Sequence, residues 1–195
     1  MHDDSLDRRQ FLRAGGALAL WFVATPSILR AENGEESPAH AAPPRYKVLT
    51  ATQAATFIAF ASQVIPSEPG SPGAREANVV RFADEGLASH VAAQRPAFLQ
   101  ALTALDAEAA RLVPGAVFAR LPSAQQVASM HAFDSGHHEL FETLRTPVLA
   151  GMFSNPAYGG NANKVGWKLI GFEDRFYWSA PFGHYDTAEA LRRHD

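Results

Sequence analysis

Cysteine is absent from all 195 residues of this chain. That excludes disulfides, thiolate nucleophiles, iron–sulfur ligation and c-type haem attachment within it. A field of positive charge is missing too: 17 Lys and Arg stand against 20 Asp and Glu, for a formal charge of −3. With no lysine- or arginine-rich run, neither nucleic acid nor an anionic membrane surface is an expected partner. The apolar stretch Ala17–Val23 falls far short of the roughly 20 residues needed to span a bilayer. Cofactor and hydrolase fingerprints are also lacking. No G-x-G-x-x-G can bring backbone amides against a pyrophosphate, and the Gly15-Gly16 pair lies in the N-terminal leader. Lys164-Val165 after Gly159-Gly160 lacks the G-K-[ST] ending of a P-loop, and no G-x-S-x-G elbow occurs. No alternating β-branched run predicts a strand.

What is present fits one soluble domain with a sizeable core, since 47% of the residues are hydrophobic and 19% charged. At the N-terminus, Arg8-Arg9 followed by Phe11-Leu12 and a Gly/Ala-rich, mildly apolar segment resembles a twin-arginine export signal. The signal is predicted over residues 1–31, with cleavage after Ala31 or after Ala41, where Ala39-His40-Ala41 gives an A-x-A pattern. A flexible leader over 32–48, containing Pro38, Pro43 and Pro44, follows it. The twin-arginine route carries folded proteins, often loaded with a cofactor, yet no cofactor or metal site of this chain's own is expected.

The remainder predicts an all-α fold: an irregular bundle of about five helices over 49–152, then a loop-rich aromatic segment over 153–195. Thr50 caps a first helix to Ile65 that turns Phe57, Ile58, Ala61, Val64 and Ile65 to one face. Pro66 and the turn Ser67–Gly73 end it. A second helix is expected over Ala74–Leu87, burying Val79, Phe82 and Ala83. A third, Arg95–Val113, carries the seam Phe98, Leu102, Leu105, Ala109 and Leu112. Ser123 and Gln126 suggest a capping box opening a fourth. A fifth carries Leu140, Phe141, Leu144, Val148, Leu149 and Met152, with a kink or break expected at Pro147.

Residues 151–172 fit no regular period. Asn155-Pro156 and Gly159-Gly160-Asn161 mark turns, yet Phe153, Tyr158, Trp167 and Phe172 are rings that an ordinary solvated loop does not carry. Further on, Phe176-Tyr177-Trp178 are three consecutive rings that cannot all point one way. Rigid aromatics suit a docking face. The expected partner interface therefore comprises Phe153, Asn155, Pro156, Tyr158, Gly159, Gly160, Asn161, Gly166, Trp167, Phe172, Phe176, Tyr177 and Trp178. Among titratable groups, His137-His138-Glu139 with His131 and Glu142 resembles a ligand cluster. Adjacent histidines diverge by about 100° on a helix, so surface positions are the expectation. Glu173-Asp174 read as a solvated pair, and His184 beside Tyr185 and Asp186 as a candidate base.

The run G-M-F-S-N-P-A-Y-G-G-N-A-N-K-V-G-W-K-L-I-G-F, together with Val64-Ile65-Pro66 and Pro72-Gly73-Ala74-Arg75-Glu76-Ala77, resembles the gluconate 2-dehydrogenase subunit 3 family. The resemblance covers residues 50–172. It implies a non-catalytic small subunit beside an FAD-dependent dehydrogenase of the glucose–methanol–choline type that oxidises sugars or sugar acids in the periplasm. Such enzymes often pass electrons to a cytochrome c subunit. FAD would belong to the partner, which would cross the membrane on this chain's twin arginines through the Tat translocase. Two alternatives stand beside this: a subunit whose tail rings, such as Trp178 or Tyr185, complete the partner's substrate pocket, and a stand-alone enzyme using His184 or His137-His138.

Overall fold

The structure is a computed structural model and describes residues 45–175. Five α-helices make up its framework among those residues, with no β-strand. Helix α1, Ala51–Val64, starts as its cap predicts: Thr50 Oγ1 accepts from the Gln53 amide at 3.2 Å and Gln53 Oε1 accepts from the Thr50 amide at 2.9 Å. It buries Phe57 and Phe60, whose rings meet Phe98 and Phe141 edge-on at 5.1 and 5.4 Å.

The second helix, α2, runs Val79–Ala88 and so begins five residues later than the Ala74 expected from sequence. Residues 66–78 are committed to a turn instead. Glu76 accepts from Ser67 Oγ at 2.5 Å and from the Gly73 amide at 2.9 Å, and these bonds hold its carboxyl below the ordinary range. The Ala74 amide donates to the Ile65 carbonyl at 3.0 Å, and Asn78 takes the left-handed conformation at φ 55°. Val79, Phe82 and Ala83 are buried as expected. Upstream, residues 45–48, which end the expected leader, lie on the bundle. The buried Asp84 carboxylate accepts the amides of Lys47, Val48 and Leu49 at 2.6, 2.9 and 2.9 Å.

Helix α3, Arg95–Leu112, buries Phe98, Leu102, Leu105 and Ala109 along its four-three seam. Leu112, the next step, is 48% exposed, while Val113, the residue that ends the helix, packs against the core. Helix α4, Ser123–Phe153, packs across α1, α2 and α3 and joins the expected fourth helix to the expected fifth, which carries Leu140 to Met152. Two expectations fail within it. The N-cap is Pro122, with no capping bond, because Ser123 and Gln126 both turn to Gln63 of α1 and Gln126 Nε2 also donates to the Phe118 carbonyl. The break falls at His137 (φ −146°, ψ 51°), after Gly136, and not at Pro147. Pro147 sits between the buried Leu144 and Val148, where packing holds helical geometry against the lost hydrogen bond.

One polar contact ties α1, α3 and the short turn Phe118–Arg120 together. Asp106 accepts from the Phe118 amide at 3.0 Å and from Thr56 Oγ1 at 3.2 Å. Burial pushes its carboxyl above the ordinary 3.8, against the opposite pull of those two bonds. A carboxyl raised in this way holds its proton more tightly in the folded chain, so its contribution to stability falls as pH rises from the unfolded value through the folded one. Asp106→Asn keeps an acceptor for Phe118 and removes the charge. Its stability relative to the wild type should therefore climb as pH rises from about 4. Asp106→Ala strands the amide and should lose about 1–3 kcal/mol. Urea midpoints across pH test both; an Asn-to-wild-type difference that is flat with pH would contradict the assignment.

Candidate docking surface

The chain leaves α4 at Phe153, and the next eleven residues fold back onto the helix end. Asn155 Oδ1 accepts from the Ala157 amide at 3.0 Å and Pro156 opens a single 3-10 turn, Pro156–Tyr158. Asn161 then acts as the central brace. Its own amide donates to the Gly151 carbonyl (2.7 Å), its Nδ2 to the Ser154 carbonyl (2.9 Å), and its Oδ1 accepts from the Gly166 amide (2.8 Å). The side chain is fully buried, so these bonds operate without competition from water. A further bond, Ala162 amide to Ala77 carbonyl at 3.1 Å, fastens the loop to the turn ahead of α2.

The glycines around this brace allow backbone to meet backbone. A Cβ on Gly160 would stand 2.3 Å from the Gly151 carbonyl oxygen, and one on Gly166 1.8 Å from that of Met152. Around Gly166 the chain forms α5, Val165–Leu169. Helix α5 and the end of α4, which reaches Phe153, are regular structure inside the stretch for which no period was expected. Helix α5 ends in a Schellman turn: the Phe172 amide donates to the Trp167 carbonyl at 2.8 Å and the Gly171 amide to that of Lys168 at 3.2 Å, with Gly171 at φ 67°. The hydrophobic contact that accompanies this turn is Trp167 on Phe172, ring centroids 4.9 Å apart. Trp167 Nε1 in turn donates to the Phe153 carbonyl at 2.8 Å, locking the turn to the end of α4.

This framework raises an apolar ridge. Leu169, Ile170 and Phe172 are 46%, 57% and 46% exposed, and Tyr158 on the neighbouring turn is 36% exposed. Scattered exposed apolar residues are ordinary, but three within four positions on a braced turn form a patch.

The expected interface thus divides. Gly160, Asn161 and Gly166 are buried and shape the loop from inside. Phe153, Pro156, Gly159 and Trp167 are half-buried, while Asn155, Tyr158 and Phe172 are exposed. Leu169 and Ile170 fall outside the interface expected from sequence; the glycine after W-K-L-I is the C-cap signal that points to them. Phe176, Tyr177, Trp178, the candidate His184 with Tyr185 and Asp186, and the export-signal residues Arg8, Arg9, Phe11 and Leu12 lie outside the described residues. The adjacent histidines do go different ways: His138 pairs with Asp134 at 2.7 Å, and His137 faces Glu108 at 3.9 Å. The bond to Asp134 holds the His138 ring above its ordinary value. Among the described residues, no group of three or more His, Asp or Glu is placed to hold a metal ion.

A family model, gluconate 2-dehydrogenase subunit 3, matches residues 51–174. The chain belongs to that family. It is thereby a member of a family of dehydrogenase-complex subunits. The match begins at the first residue of α1 and ends just past the Schellman turn, so bundle and ridge together form the family unit. No curated protein and no solved structure matches the chain.

Proposed function

We propose that this subunit 3 family member is the non-catalytic small subunit of a periplasmic, FAD-dependent sugar or sugar-acid dehydrogenase. Its task is export, maturation and stability of the flavoprotein subunit. The observation that carries the reading is the braced apolar ridge of Leu169, Ile170 and Phe172 on a chain whose family is one of complex subunits. A ridge fixed by Asn161 and the Schellman turn offers apolar anchors that lose little freedom on binding. An obligate interface with the large subunit would bury on the order of 2,000 Å² or more. The flavin, the substrate site and any electron transfer to a cytochrome c subunit belong to the partners, and the twin arginines Arg8 and Arg9 supply passage for the folded pair.

The test is made in the producing cell. Without this chain, the flavoprotein is expected to yield little soluble, FAD-bound enzyme. With Arg8→Lys and Arg9→Lys together, dehydrogenase activity is expected in the cytoplasmic fraction with little in the periplasm. Full export and activity in the absence of this chain would refute the reading.

A further inference from the structure

Between α1, α2 and the segment 45–47 lies a pocket of about 310 Å³ that the ridge does not include. Its inner wall is apolar, formed by Ile58, Ala61 and Val79 among others. Its rim is cationic: Arg45, Lys47, Arg75 and Arg81. Two carboxylates also line it, and both are engaged. Asp84 accepts the three backbone amides of residues 47–49, and Glu85 pairs with Arg81 at 2.9 Å and Lys47 at 3.9 Å. Four cations against two acids leave this patch positive on a chain whose formal charge is −3. Neither Arg45 nor Arg75 has a carboxylate within 4 Å among the described residues. Burial and the nearby Asp84 charge hold the Tyr46 phenol above its ordinary 10.0, so it enters the site as a neutral hydroxyl.

The pocket adjoins the docking loop. A Cβ on Gly159 would stand 2.7 Å from Glu85 Oε2 and 3.5 Å from Arg81 Cγ. The Arg81–Glu85 pair therefore borders both the pocket and the turn that carries Tyr158, and a partner seated on the loop reaches the pocket's edge.

From this geometry we infer that the pocket receives an acidic stretch of the flavoprotein subunit, with one large apolar side chain on the inner wall and flanking carboxylates on Arg45, Arg75 and Lys47. The apolar wall supplies the anchor and the positive rim supplies selection and register. At this volume the site lies at the lower limit for small-molecule pockets and suits an inserted side chain. The inference rests on the docking reading above.

The cysteine-free sequence makes the test direct, because an introduced thiol is the only one on this chain. Ile58→Cys places it on the inner wall, and Ala107→Cys, on the exposed side of α3, serves as control. Each variant is treated with a methanethiosulfonate reagent as the free chain and in the co-purified complex, with modification of this chain read by mass. The thiol at position 58 is expected to react in the free chain and at least about tenfold more slowly in the complex, with position 107 unchanged; Arg75→Glu should weaken the complex by about tenfold or more. Equal reactivity at position 58 in an intact complex overturns the inference and leaves the docking reading standing. A thiol already shielded in the free chain overturns it too, as does an Arg75→Glu variant that binds like the wild type. Failure of the unaltered chain to form any complex removes the docking reading and this inference together.

Discussion

Gly166→Ala is expected to be the most damaging single methyl group in this protein. The added carbon would lie 1.8 Å from the Met152 carbonyl oxygen, 2.8 Å from its carbon and 3.2 Å from Asn161 Oδ1. The first two are backbone atoms at the end of α4, so no rotamer change relieves the clash. Relief requires α5 to move away, which would break the Gly166–Asn161 bond and loosen the Trp167–Phe153 bond with it. Losses of this kind fall in the upper tail of point substitutions, about 4 kcal/mol or more, and for a domain of this size should lower the melting temperature by on the order of 10–20 °C. Gly136→Ala is the matched control, because a Cβ there meets nothing within 4 Å. It should leave the melting temperature unchanged or raise it slightly. A Gly166→Ala protein melting within about 3 °C of the wild type would mean that the loop is not braced as described.

The second large effect concerns binding without unfolding. Leu169→Asp combined with Ile170→Asp alters two side chains that are about half exposed and that take no part in the Asn161 brace or the Trp167–Phe172 contact. Circular dichroism and the melting temperature should stay close to wild type. Affinity for the flavoprotein subunit proposed as its partner should fall by on the order of a hundredfold or more, as when two central anchors of an interface become charged and stay solvated. Binding measured by titration calorimetry or by co-purification yield decides the matter. An unchanged affinity would move the docking face elsewhere on the bundle. Gly166→Ala, by contrast, should lose the partner and the fold together, so the two variants separate scaffold from contact.

These two variants also show where sequence was informative. The α1 cap at Thr50 and the α3 seam from Phe98 to Ala109 were legible because each depends on residues within four positions of one another. The helical class and the family likeness were legible for the same reason, as patterns along the chain. The failures occur where distant segments decide. Pro147 is a strong local breaker, yet packing around Leu144 and Val148 holds the helix through it, and the break settles at Gly136-His137. Ser123 and Gln126 have the spacing of a capping box but spend their hydrogen bonds on Gln63, some sixty residues earlier. The motif from Gly151 to Phe172 was visible as unusual, while the division of its work was not. Gly160 and Gly166 are small because of carbonyls in Gly151 and Met152, and only folding brings those atoms together. The cationic pocket left no mark in sequence at all, since its rim comes from residues 45–47, 75 and 81, none of them in a charge run.

The Asp84 clamp has a mechanical consequence. One carboxylate holds three successive amides, of Lys47, Val48 and Leu49, at the point where the chain joins the bundle. Tension applied upstream of Arg45 would meet the bond at Lys47 first and then those at Val48 and Leu49, all anchored on α2, before it reached α1. A pull on the N-terminal end is thus borne by the helix beside the pocket, and the first turn of α1 is spared from unravelling.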